Sequence, residues 1–106
     1  MKTTNENCAG YIQLVFFDEA TGEAVTIGGA GFLTDAEFDA AWANLPEHIA
    51  GPTSFQADRM DSNCDILDDK TVSAQTCELV MGKPITTLII EGREKLAAEI
   101  AQFRNT

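Results

Sequence analysis

Apolar positions recur along this chain with two different periods, and the switch between them sets the expected order of elements. Tyr11-Ile12-Gln13-Leu14-Val15-Phe16-Phe17 is β-branched and aromatic, begins after Gly10 and reads as a strand. Asp18-Glu19-Ala20-Thr21-Gly22-Glu23 is a hairpin connection, and Ala24-Val25-Thr26-Ile27 returns as its second strand. The period then changes. Thr34-Asp35-Ala36-Glu37 is a capping box, in which the Thr34 hydroxyl accepts from the Glu37 amide and the Glu37 carboxylate reaches back to the Thr34 amide. Phe38, Ala41, Trp42 and Leu45 follow at helical spacing as one apolar stripe, and Pro46 stops the helix.

Gly51-Pro52 opens a second unit. Ser54–Met60 alternates as a strand, Asp61-Ser62-Asn63 is a turn, and Cys64-Asp65-Ile66-Leu67 returns. Lys70–Met81 admits two readings. Val72, Thr76, Leu79 and Val80 fit a helix capped by Asp68 or Asp69 and closed by Gly82, whereas Thr71, Val72, Thr76 and Val80 are strand formers. Beyond Pro84, Ile85, Leu88, Ile89, Gly92, Leu96, Ile100 and Phe103 recur at helical spacing; the rival is a strand over Ile85–Ile90 followed by a helix Arg93–Phe103. Hairpin then helix occurs twice, an echo of architecture without sequence identity. The expected fold is α+β, ordered β-β-α-β-β-α with an extra helix or strand at 70–90, its antiparallel sheet covered on one face by helices.

A length of 106 residues bounds this to one domain, with residues 1–9 expected as a flexible N-terminus. Apolar residues make up 44% of the chain, too many for a disordered acidic tail. The segment Met1–Asn7 does not resemble a signal peptide, and no apolar run approaches the roughly 20 residues that span a bilayer. Cys8, Cys64 and Cys77 are an odd set without CxxC spacing, so free thiols and a cytosolic location are expected, although a Cys64–Cys77 bridge is compatible with the spacing.

Charge changes the picture most. Residues 1–82 carry fourteen Asp and Glu against Lys2, Arg59 and Lys70, a net of −11, while residues 83–106 are net +1. Such a surface repels nucleic acid and anionic membrane and attracts basic partners at a salt-dependent rate. The carboxylates concentrate at the hairpins: Asp18, Glu19 and Glu23 on the first, and Asp58, Asp61, Asp65, Asp68 and Asp69 on the second. These eight form the candidate partner-binding set. A net of −10 exceeds what solubility requires of a small domain.

Other chemistry is weakly signalled. Gly28-Gly29-Ala30-Gly31 is expected between strand and helix, where a phosphate could bind, but the glycine spacing is wrong and Asp35 and Glu37 occupy the helix start; a turn or bulge is the plainer reading. Asp61, Asn63, Asp65 and Asp69 match four positions of a calcium loop, yet Ile66 and Val72 stand where Gly and Glu are needed. His48 is the single histidine and could serve a cysteine as base, though no signature surrounds Cys8, Cys64 or Cys77. No cofactor and no metal is expected. The leading expectation is a non-enzymatic module whose acidic face engages a basic protein, such as a nuclease or a nucleic-acid-binding complex. The alternatives are a dimeric small-ligand or metal-binding domain, with its ligand under Gly28–Gly31, and a small enzyme using Cys or carboxylate chemistry. Free hairpin edges also offer a route to a homodimer.

Overall fold

Side chains of the first strand alternate in and out, and that alternation lays down the core. In the computed structural model, which describes residues 9–49 and 51–104, strand β1 (Gly10–Asp18) buries Ile12, Leu14 and Phe16 on one face. It pairs antiparallel with β2 (Glu23–Phe32) through the Asp18–Glu23 turn, as the sequence predicts. Helix α1 (Asp35–Ala43) follows, then β3 (Thr53–Met60), β4 (Ile66–Val72), α2 (Ala74–Met81) and α3 (Ile85–Arg104). The four strands form one antiparallel sheet in the order β2-β1-β3-β4. The expected α+β class, two hairpins and helices on one face are therefore present. Each half contributes a hairpin and then helix, with the first strands of the two hairpins paired at the centre. The expected flexible N-terminus lies, but for Ala9, outside the described residues.

The core forms between the sheet and the helices. Val25, Ile27, Ala57 and Val72 join the inward residues of β1, and Phe38, Trp42, Leu45, Cys77 and Leu88 close over them. Phe16 and Phe55 lie 5.3 Å apart across the sheet, and Phe32 stacks on Phe38 at 5.8 Å. Thr34 caps α1, its hydroxyl oxygen accepting from the Glu37 amide at 3.1 Å. The reciprocal half of the box differs from expectation: the Thr34 hydroxyl donates to the Glu37 carboxylate at 3.0 Å. The C-terminal end of α1 and the segment just beyond it take their cation from another element. Lys70 Nζ, on β4, donates to the carbonyls of Trp42 and Leu45 at 2.9 and 3.0 Å and stands 4.6 Å from the Trp42 ring centre. It thus stabilises the negative end of α1.

Three segments depart from or divide the sequence reading, and a fourth keeps its leading helical reading. Strand β2 does not stop at Ile27 but continues to Phe32, so Gly28–Gly31 are inside a strand: Gly29 pairs with Gln13 and Gly31 with Tyr11. The expected bulge is real, with the register slipping opposite Leu14/Val15. Gly28 there has φ 153° and lies against Met81, where a Cβ would meet the sulfur at 2.6 Å. Strand β4 starts at Ile66 rather than Cys64, because Cys64 has φ 68° and still belongs to the turn. In 70–81 both readings hold in part: the strand runs to Val72, and α2 is capped by Ser73, not by Asp68 or Asp69, with the Ser73 oxygen accepting from the Thr76 amide at 3.1 Å. Beyond Pro84 the helix is unbroken, so the rival strand over 85–90 does not form. Gly92 does not end it. A Cβ at that position would meet the Thr26 carbonyl oxygen at 2.7 Å, so the missing side chain is what lets α3 lie directly on β2. No helix among the described residues is long and apolar enough to cross a membrane.

Candidate functional site: the acidic β3–β4 hairpin

The turn between β3 and β4 is built by one of its own acids. Asp61 Oδ1 accepts from the amides of Asn63 and Asp65 at 2.9 and 3.0 Å, and the Asp61 amide donates to the Asp65 carbonyl at 3.0 Å. Asn and Asp hold turns in this way because the short side chain reaches the backbone two residues on. Cys64, exposed at the turn, lies 3.1 Å from the Tyr11 hydroxyl.

Asp58, one strand further in, alternates with the core residue Ala57 and so faces away from the helices. It is 4% exposed and accepts from Gln56 Nε2 at 2.6 Å. Its cross-strand neighbours are Gln13 on β1 and Asp69 on β4. Two carboxylates directly opposite on adjacent strands repel, which costs stability. Asp68, next along β4 and exposed, accepts from the Asp69 amide at 2.8 Å. Its cross-strand neighbour is Arg59, but the guanidinium of Arg59 turns to Asp39 of α1 and lies 4.5 Å over the Phe38 ring. Asp65, Asp68 and Asp69 thus line an exposed edge, and no basic side chain among the described residues forms an ion pair with them.

The first hairpin stands apart. Asp18 pairs with Thr53 and Tyr11 with Met60, so the β1–β2 turn and the β3–β4 turn lie at opposite ends of the sheet. The eight candidate acids therefore divide into two groups and do not form one face. Asp18 Oδ1 accepts from the Ala20 amide at 3.0 Å within its own turn, and Glu19 is exposed. Glu23 is engaged: Arg93 donates to both its oxygens at 2.9 and 2.8 Å. That hydrogen-bonded pairing lowers the Glu23 pKa and raises that of Arg93. The two residues are 70 positions apart, so the sequence carried no signal for this pair.

Among the described residues, no hydrogen bond joins His48 to a cysteine. Cys77 is fully buried, and burial pushes its thiol up to about 11, leaving it protonated at neutral pH. Cys64 and Cys77 are both free, which settles the expected alternative of a bridge between them. His48 is exposed beyond α1, its backbone amide donating to the Thr71 carbonyl at 2.8 Å. Among the described residues no cluster of three or more His, Cys, Asp or Glu is placed to hold a metal ion. The segment Asp61–Val72 becomes a tight turn and a strand, not a looped cage. Cys8 lies outside the described residues. A search for similar proteins finds no match among known family models, curated proteins or solved structures.

Proposed function

We propose that this protein is a non-enzymatic binding module that offers the edge of β4 and the adjoining turn to a basic protein surface, such as that of a nuclease or a nucleic-acid-binding assembly. One observation carries the reading. The fold engages Arg59, Lys70 and Arg93 with Asp39, the end of α1 and Glu23, and leaves Asp65, Asp68 and Asp69 without an ion pair to a basic side chain among the described residues. Charge left together at an exposed edge steers a partner of opposite sign. Asp58, opposite Asp69 on the face away from the helices, adds to the field beside it. The free thiols Cys64 and Cys77 suit a reducing compartment, and the cytosol is the location we propose.

The test starts from the partner captured by the wild-type protein. Replacing Asp65, Asp68 and Asp69 together by Asn should leave folding intact, because exposed charges contribute little to stability. It should also slow association about tenfold at low salt and flatten its salt dependence. Asp61 is left in place because it holds the turn. An unchanged association rate at low salt, or a captured partner with no basic surface, overturns the proposal.

A further inference from the structure

The two edges of the sheet are guarded very differently. Exposed strand edges invite pairing with another chain, and proteins usually blunt them with charge or proline. Strand β4 carries Asp68, Asp69 and Lys70 within seven residues. Strand β2, also an edge, has no charged residue and no proline from Ala24 to Phe32. Only the bulge interrupts it.

Helix α3 meets the same edge. Ile85, Leu88, Ile89, Gly92, Leu96, Ile100 and Phe103 make one apolar stripe, and the sheet covers only its first half. Leu88 is buried at 2% exposure, whereas Leu96 and Ile100 are 38% and 44% exposed. A groove of about 480 Å³ opens where α3 leaves β2, its floor formed by Ala24, Thr26 and Gly29 and its wall by Glu91, Lys95 and Leu96. Unguarded edge and uncovered stripe border one groove.

We infer that a second copy of this chain docks here, about a two-fold axis that pairs β2 with its symmetry mate and sets the two α3 helices side by side and antiparallel. A two-fold axis perpendicular to the sheet keeps both helices on one face, so a single contact continues the sheet to eight strands and covers both stripes. Charge selects this surface over others. Two chains of net −10 repel, and they meet at least cost where the charge is balanced. The last helix supplies that place. Lys95 and Glu99 are spaced four apart along the wall of the groove, a pair that complements itself when the helix is reversed, Lys95 of each copy meeting Glu99 of the other, while Glu91 is already held by Lys83 of its own chain at 3.0 Å. The contact leaves the β4 edge open, so it is independent of the acidic binding surface.

Sedimentation equilibrium tests the inference. At about 0.1 mM, well above a micromolar dissociation constant, the wild-type protein should have twice the 11.4 kDa mass of the chain. Leu96→Glu with Ile100→Glu should halve the mass, while Leu67→Lys on the β4 edge leaves it doubled. A charge swap gives a second arm. Lys95→Glu should be monomeric alone and should dimerise when mixed with Glu99→Lys. A monomeric wild-type protein overturns the inference, and so does a Leu96→Glu, Ile100→Glu variant that stays dimeric or a mixture that fails to associate.

Discussion

At the scale of residues, the pair Glu23–Arg93 ties the sheet edge to α3, and its contribution depends on pH. The Glu23 pKa is lowered from its ordinary 4.5 by the hydrogen bonds from Arg93. A lowered carboxylate stabilises the folded state above the unfolded value, and that contribution is lost as pH falls through the folded value. Arg93→Gln is therefore expected to lower the melting temperature most near neutral pH. The gap from wild type should narrow as the solution is acidified below 4.5. What persists in acid is the contact of Arg93 with Phe16, at 5.9 Å. Thermal melts of both proteins across that range check it, and a gap that does not change with pH would refute the assignment. The sequence revealed the local cases of this kind, such as Thr34 and Glu37, because their partners are three residues apart. It gave no sign of Lys70 beneath α1 or Arg93 on Glu23, because those pairs exist only after distant elements meet.

At the scale of elements, regular alternation and helical spacing were legible wherever apolar side chains were large. Strand β1, helix α1 and the β3 strand follow directly from Ile12, Leu14, Phe16, Phe38, Trp42 and Ala57. The misread segments are those whose local chemistry is neutral or misleading. Gly28–Gly31 lacks the side chains that mark a strand, and only pairing with β1 makes it one. Gly92 falls on the helical stripe although glycine is a poor helix former, and it is retained for close packing. Gly92→Ala separates the two effects. Helix propensity alone would favour Ala by about 1 kcal/mol. Against this, the new methyl meets the backbone carbonyl of Thr26 at 2.7 Å, which cannot swing aside. Overpacking of this kind costs about 1–3 kcal/mol, so a net loss of up to about 2 kcal/mol is expected in urea melts. A gain in stability would mean that α3 does not rest on β2.

At the scale of the whole molecule, the acidic excess was plain from composition, but its division was not. The hairpin turns look equivalent in sequence; the antiparallel β1–β3 pairing sends them to opposite ends, and Arg93 then neutralises part of one. The strand order has a further, kinetic consequence. Within each hairpin the paired strands are joined by a short turn, whereas β1 and β3 meet across α1, with Leu14 opposite Ala57. Closing that long loop must precede any reward from the contact, and loop closure of this kind slows folding. The two hairpins should therefore form early and wait for each other, with the central seam as the barrier. Leu14→Ala is expected to slow refolding, while Thr34→Ala, at the start of α1, should act mainly on the unfolding rate. Stopped-flow chevrons distinguish the two, and a Leu14→Ala refolding rate equal to that of wild type would exclude the seam. The two hairpins then behave as separately formed halves whose meeting, rather than their making, sets the pace of folding.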